Sequence, residues 1–190
     1  MLLALLFMGI VALSPLNAQI LDNEYYPLAI GSAWHYKSND TKVTLKVTKH
    51  EKVGDKLCAV IETLRDGKVE GTECVSVSQA GAIRVSFNGQ AASVPLMFLK
   101  FPPKKGEKWK VDSMIGSENV KGEFTIEEEK IKVSQGEYDT IKSVGAIEVN
   151  GQATTIAYWF AKNVGVVKLL IKTAESEVVL ELEKYEAAKP

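Results

Sequence analysis

The stretch Lys42-Val43-Thr44-Leu45-Lys46-Val47-Thr48 decides how this chain is read. Val43, Leu45 and Val47 fall on one side of an extended backbone and Lys42, Thr44, Lys46 and Thr48 on the other, because successive side chains of a strand point to opposite faces. One face is apolar and the other wet, as a half-buried antiparallel strand requires. Similar alternation marks Ile83, Val85 and Phe87, then Val167, Leu169 and Ile171, and finally Val178, Leu180 and Leu182. Between the runs lie Val53-Gly54-Asp55, Asp66-Gly67, Asn88-Gly89 and Asn150-Gly151, residue types that accept the positive φ of tight turns. From Trp34 onward no helical period persists for more than a few residues, so the chain is expected to be all-β with about ten antiparallel strands. A curled sheet or open β-barrel is the expected architecture, and a two-sheet sandwich is the alternative.

The same spacing of residues occurs twice. Tyr26-Pro27-Leu28-Ala29-Ile30-Gly31-Ser32-Ala33-Trp34 returns as Phe101-Pro102-Pro103-Lys104-Lys105-Gly106-Glu107-Lys108-Trp109, with aromatic, Pro, Gly and Trp in register. Leu45 and Val47 then match Phe124 and Ile126, Val53 matches Val133, and Gly81 matches Gly165. This order predicts an internal duplication with half-repeats at about 24–95 and 99–172 and a final strand at 176–185. Phe124 and Ile126 are even-numbered whereas Ile131 and Val133 are odd, which predicts a β-bulge near Glu127 to Glu129, or else two strands with a break between them.

Residues 1–18 read as an export signal cleaved after Ala18, because Met1 to Leu13 carry no charge and Ser14 to Ala18 are mostly small. No basic residue precedes the apolar run, and the run is shorter than the roughly twenty residues that span a bilayer. Residues 19–190 then form one domain, secreted or periplasmic. No Cys lies near the cleavage point, which argues against a lipid anchor there. The 23 basic and 24 acidic residues give a net charge of −1, without the basic excess of a nucleic-acid binder.

There is no G-x-S-x-G elbow, and His50-Glu51 fails as a zinc-protease motif because Gly54 stands where the second His is needed. The acidic clusters Glu127 to Glu129 and Glu175, Glu177, Glu181 and Glu183 read as solvated faces rather than glycosidase pairs. Cys58 and Cys74 lack further soft ligands, and a three-residue loop centred on Asp66 would put them opposite each other across a hairpin, predicting a disulfide. A slipped register would instead leave two buried thiols. Trp34, Trp109 and Trp159 are expected to pack on the core as structural residues rather than stack on sugars. No metal and no cofactor is implied.

Val94 to Phe101 is apolar without alternation and must be covered on both sides. It is expected to be a central or plugging segment of the core, or else Leu96, Met97, Phe98, Leu99 and Phe101 line a cavity for an apolar ligand. At the C-terminus, a four-residue loop at 173–176 would set Lys172 opposite Glu177, Lys168 opposite Glu181, Leu169 opposite Leu180 and Ile171 opposite Val178, with the charged face in solvent.

Tyr25-Tyr26-Pro27-Leu28, Gly31, Trp34 and Tyr36, with Tyr158-Trp159-Phe160-Ala161 and Val164-Gly165-Val166-Val167-Lys168, resemble secreted bacterial proteins of unknown function that open on Y-x-P-L-x-x-G-x-x-W-x-Y. The resemblance implies an exported bacterial protein with a curved sheet similar to lipoprotein-carrier folds, and it carries over no active-site residue. The expectation is a monomeric, non-enzymatic binding module for an apolar or amphipathic small molecule. The alternative is an adaptor that binds other cell-envelope proteins through a sheet edge or the Trp-bearing turns.

Overall fold

The computed structural model describes residues 22–189, and the expected export signal lies outside them. Their regular elements are a short pair, β1 (Asp22–Asn23) and β2 (Tyr26–Pro27), followed by β3 (Ala33–Ser38), β4 (Thr41–Val53), β5 (Lys56–Arg65), β6 (Lys68–Ser78), β7 (Gly81–Phe87), β8 (Gln90–Lys100), β9 (Lys108–Ile115), β10 (Glu118–Val133), β11 (Gly136–Val149), β12 (Gln152–Ala161), β13 (Gly165–Lys172) and β14 (Glu177–Glu186). Strands β3 to β14 run antiparallel in chain order around a closed barrel, with β14 pairing back on β3. The barrel thus has twelve strands where about ten were expected, and it closes. Closure removes the exposed edges that an open sheet would carry.

Asp66-Gly67, Asn88-Gly89 and Asn150-Gly151 each hold two consecutive positive φ angles, 48° and 80°, 48° and 75°, 52° and 81°. That is the type I′ geometry whose twist matches the flanking strands. With strand direction alternating, these turns lie at one end, together with the connections after β3, β9 and β13. The opposite end receives β1, β2 and the long β8–β9 connection.

The two ends are filled differently. At the second end Tyr26 lies against Trp34, Phe98 and Phe160, with ring centroids 5.8, 6.1 and 5.8 Å away. Phe98 also packs on Tyr158 at 5.4 Å. Trp34 Nε1 donates to the Val164 carbonyl and Tyr36 Oη to the Val166 carbonyl at 2.7 Å, so the polar tips of these buried rings are satisfied.

Strand β8 explains the unalternating run. Pro95 has no N–H to give, and β8 meets β9 at one residue pair, Ala92 opposite Ile115. Side chains complete this seam, with Met114 N donating to Ser93 Oγ at 2.9 Å, Ser113 Oγ to the Val94 carbonyl at 2.6 Å and Trp109 Nε1 to the Met97 carbonyl at 3.0 Å. Past the seam β8 stays paired with β7 as far as Lys100, with Phe98 an extra residue of that ladder, and the Phe98 carbonyl accepts from Ser143 Oγ of β11 at 2.6 Å. Leu96, Phe98 and Leu99 are buried there, but Val94 is 57% exposed, so the run is not covered on both sides along its whole length as expected.

Around the outer wall, Glu127, Lys142, Trp159, Lys168, Glu181 and Lys37 stand opposite one another in turn from β10 to β3. This charged ladder suits a wall facing water, the inverse of a lipid-facing one. The C-terminal hairpin has the expected register: Lys168 Nζ lies 2.8 Å from Glu181 and Lys172 Nζ 3.1 Å from Glu177. Lys168 is nevertheless half-buried, with its ammonium 5.6 Å over the Trp159 ring.

Equivalent positions of the repeated spacing make equivalent bonds. Gly31 N donates to the Val47 carbonyl and Val47 N to that of Ser32, both at 2.9 Å, while Gly106 N donates to Ile126 at 2.8 Å and Ile126 N to Glu107 at 2.9 Å. Trp34 stands opposite Leu45 and Trp109 opposite Phe124. Trp109 is only half-buried, stacked on Phe124 at 5.6 Å. The expected bulge near Glu127 is not there, because the β10–β11 ladder runs from Val120 to Val133 without a shift. A run of four exposed residues, Glu127 to Lys130, separates the two parities instead.

The cysteines are free and buried, which corrects the expected disulfide. The β5–β6 turn has two residues, not three, and Glu70 is the extra residue of a bulge, so the register moves by two and Cys74 faces Val60. Cys58 and Cys74 share a small apolar cluster with Val60 and Val85, apart from the main core. Burial, with Cys74 nearby, pushes the Cys58 thiol up to about 11.

Candidate functional site

Between the aromatic plug and the end that carries the type I′ turns, the barrel is hollow. The cavity there has a volume of about 420 Å³ and two unlike walls. One wall is apolar, built by Val43 and Leu45 of β4, Ile156 of β12, Leu169 and Ile171 of β13, and Val178 and Leu180 of β14. Strand alternation puts them there, and the β13–β14 register brings Leu169 against Leu180 and Ile171 against Val178. Ile171 and Val178 remain 37% and 41% exposed, an uncovered apolar surface at the mouth.

The facing wall, from β5 to β7, is polar: Thr63, Arg65, Glu70, Glu73 and Arg84. Deep in it Arg84 Nε donates to Glu73 Oε2 at 2.7 Å, and Nη2 reaches Tyr158 Oη at 3.4 Å. The two charged side chains keep only 19% and 13% of their surface exposed. Burial works against the Arg84 charge, but Glu73 and Tyr158 beside it hold its pKa above the ordinary arginine range. Burial likewise raises the Tyr158 and Tyr26 phenols, keeping both neutral. Nearer solvent, Arg65 Nε donates to Glu70 Oε2, again at 2.7 Å. Every ion in the lining is thus matched by one of opposite sign.

Strand β7 aims Arg84 by a bulge. Arg84 stands opposite Val75 and Ser86 opposite Cys74, so Val85 is an extra residue and the side-chain parity reverses across it. Arg84 and Phe87 both reach the cavity, while Ile83 and Val85 join the cysteine cluster. Ile83, Val85 and Phe87 therefore do not share one face, contrary to the expectation from alternation.

None of Leu96, Met97, Phe98, Leu99 and Phe101 lines this cavity. Phe98 comes nearest, lying beneath the Arg84 guanidinium with 5.9 Å between Cζ and its ring centre. Met97 and Phe101 are half-buried. Trp34 belongs to the plug, Trp109 to the β8–β9 seam, and Trp159 to the outer ladder, where its ring lies under Lys142 and Lys168 and its Nε1 donates to Glu129 at 3.0 Å. That N–H, helped by Lys142, holds the Glu129 carboxyl below the usual range. Among the described residues no three His, Cys, Asp or Glu side chains come together as metal ligands would, and no helix is long and apolar enough to cross a membrane.

No family model and no curated protein matches the sequence. Solved structures similar to the chain include a putative lipoprotein from Parabacteroides distasonis ATCC 8503, with a TM-score of 0.55 and 12% identity over 85% of this chain and 98% of its own. The two proteins share a fold. A putative exported protein with a YmcC-like fold from Bacteroides fragilis NCTC 9343 is similar with a TM-score of 0.48 and 13% identity over 85% of this chain and 98% of its own.

Proposed function

We propose that this chain is an exported, non-enzymatic binding module that holds an apolar or amphipathic small molecule inside the turn-bearing end of the barrel. The observation that carries the reading is the two-walled cavity of about 420 Å³, whose apolar wall leaves Ile171 and Val178 uncovered. Its volume lies at the small end of the range for drug-sized ligands. Export is supported by the signal-like residues 1–18 and by the fold shared with a putative lipoprotein. The same reading takes residues 24–95 and 99–172 as duplicated halves followed by a final strand, supported by the matched bonds at Gly31 and Gly106.

Titration of the purified domain, residues 19–190, with the uncharged dye Nile red tests the binding reading. Saturable binding of one dye per chain is expected, and Leu169→Trp, which fills the cavity, should abolish it while the far-ultraviolet circular dichroism is unchanged. Absence of saturable binding, or equal binding by both proteins, would count against the cavity and favour the adaptor reading.

A further inference from the structure

We propose that the occupant is an uncharged single-chain amphiphile whose polar groups are hydroxyl, ester or amide and lie against Arg84, Glu73 and Tyr158. The inference rests on the binding reading above and concerns which ligand the cavity takes. Its charged lining consists of Arg65, Glu70, Glu73 and Arg84, two of each sign. Each arginine is bonded to its glutamate at 2.7 Å. An anionic head could reach Arg84 only by drawing it from Glu73, which is nearly buried and would be left uncompensated, and a cationic head would strand Arg84 in the same way. A neutral head breaks neither pair. The bonds in place use Arg84 Nε and Nη2 and Glu73 Oε2. A guanidinium has further N–H donors and a carboxylate further lone pairs, so this wall can still donate to an ester or amide carbonyl and accept from a hydroxyl. Opposite it, Leu45, Ile156, Leu169 and Leu180 offer only apolar contact to a chain. The volume suits one chain of moderate length and not a diacyl lipid.

The test is displacement of bound Nile red by three amphiphiles of one chain length, each below its micellar concentration: 1-monododecanoylglycerol, dodecanoate and dodecyltrimethylammonium. The monoacylglycerol should displace dye at about a tenfold lower concentration than either charged compound, the margin expected if breaking an ion pair costs a head group on the order of 1.4 kcal/mol. In Arg84→Met/Glu73→Leu, which removes both ions together, that preference should vanish. Displacement by dodecanoate or the ammonium at equal or lower concentration would overturn the inference while leaving the binding reading intact. Dye binding without displacement by the monoacylglycerol would also overturn it. Failure of the dye itself to bind would instead remove the reading on which the inference rests.

Discussion

The two ends of the barrel share the same strands and differ in what fills them. At the plugged end two departures from the regular meander fill the interior: the β1–β2 arm brings Tyr26, and Phe98, an extra residue where the β7–β8 ladder shifts, packs against it. Their rings meet Trp34, Tyr158 and Phe160, and the space closes. At the turn-bearing end, among the described residues, only short hairpins cross the rim. A twelve-stranded barrel is wider than the roughly eight strands whose interior side chains fill it. Where no extra segment enters, a cavity remains.

The largest effect is expected in the plug. Phe160→Ala should cost about 3 to 5 kcal/mol in denaturant unfolding, the range for deleting a buried aromatic ring. A loss near zero would mean that the plug is not close-packed and that the contrast between the ends is false.

Next is the ion pair. Arg84→Met alone leaves Glu73 nearly buried without its partner and should cost about 3 kcal/mol, whereas Arg84→Met/Glu73→Leu should recover most of that. Equal losses in both variants would show that Arg84 matters for packing and not for charge balance.

A smaller effect is expected on the outer ladder. Lys168→Glu places a carboxylate opposite Glu181 and removes a cation from the Trp159 face, for a loss of about 1 kcal/mol. Sequence alternation alone, which leaves Lys168 in solvent, predicts almost no change in melting point, so this variant separates the two descriptions.

The smallest stability effect is expected at the mouth. Val178→Ser should change unfolding free energy by less than about 0.5 kcal/mol, as exposed substitutions do, yet weaken dye binding measurably. A large stability loss would show that the mouth is packed shut.

Much of the barrel was legible because its strands alternate and its turns use Asp-Gly and Asn-Gly. The C-terminal register could be read to the residue, since charge pairs and apolar pairs agreed on the same alignment of Lys168 with Glu181. The polar half of the candidate site was not legible. Arg84 sits between Ile83 and Val85, which look like an inward face, and only the extra residue at Val85 turns Arg84 into the barrel. A bulge leaves no compositional trace, and the one at Glu70 hid the cysteine register in the same way. Of the Val94 to Phe101 run, read as covered on both sides, Leu96, Phe98 and Leu99 are buried whereas Val94 is exposed. The run's position under the cavity rather than around it depends on how β8 crosses to Ser143, a long-range contact that no local pattern encodes.

Methyl-resolved NMR of the labelled domain, recorded with and without 1-monododecanoylglycerol, tests the contrast between the ends most directly. The account predicts shifts confined to Val43, Leu45, Ile156, Val166, Leu169, Ile171, Val178 and Leu180, with Val47, Val75, Val167 and Leu182 of the packed interior unmoved. Shifts spread through the packed residues, or confined to Val69 and Val94 on the outside, would contradict it.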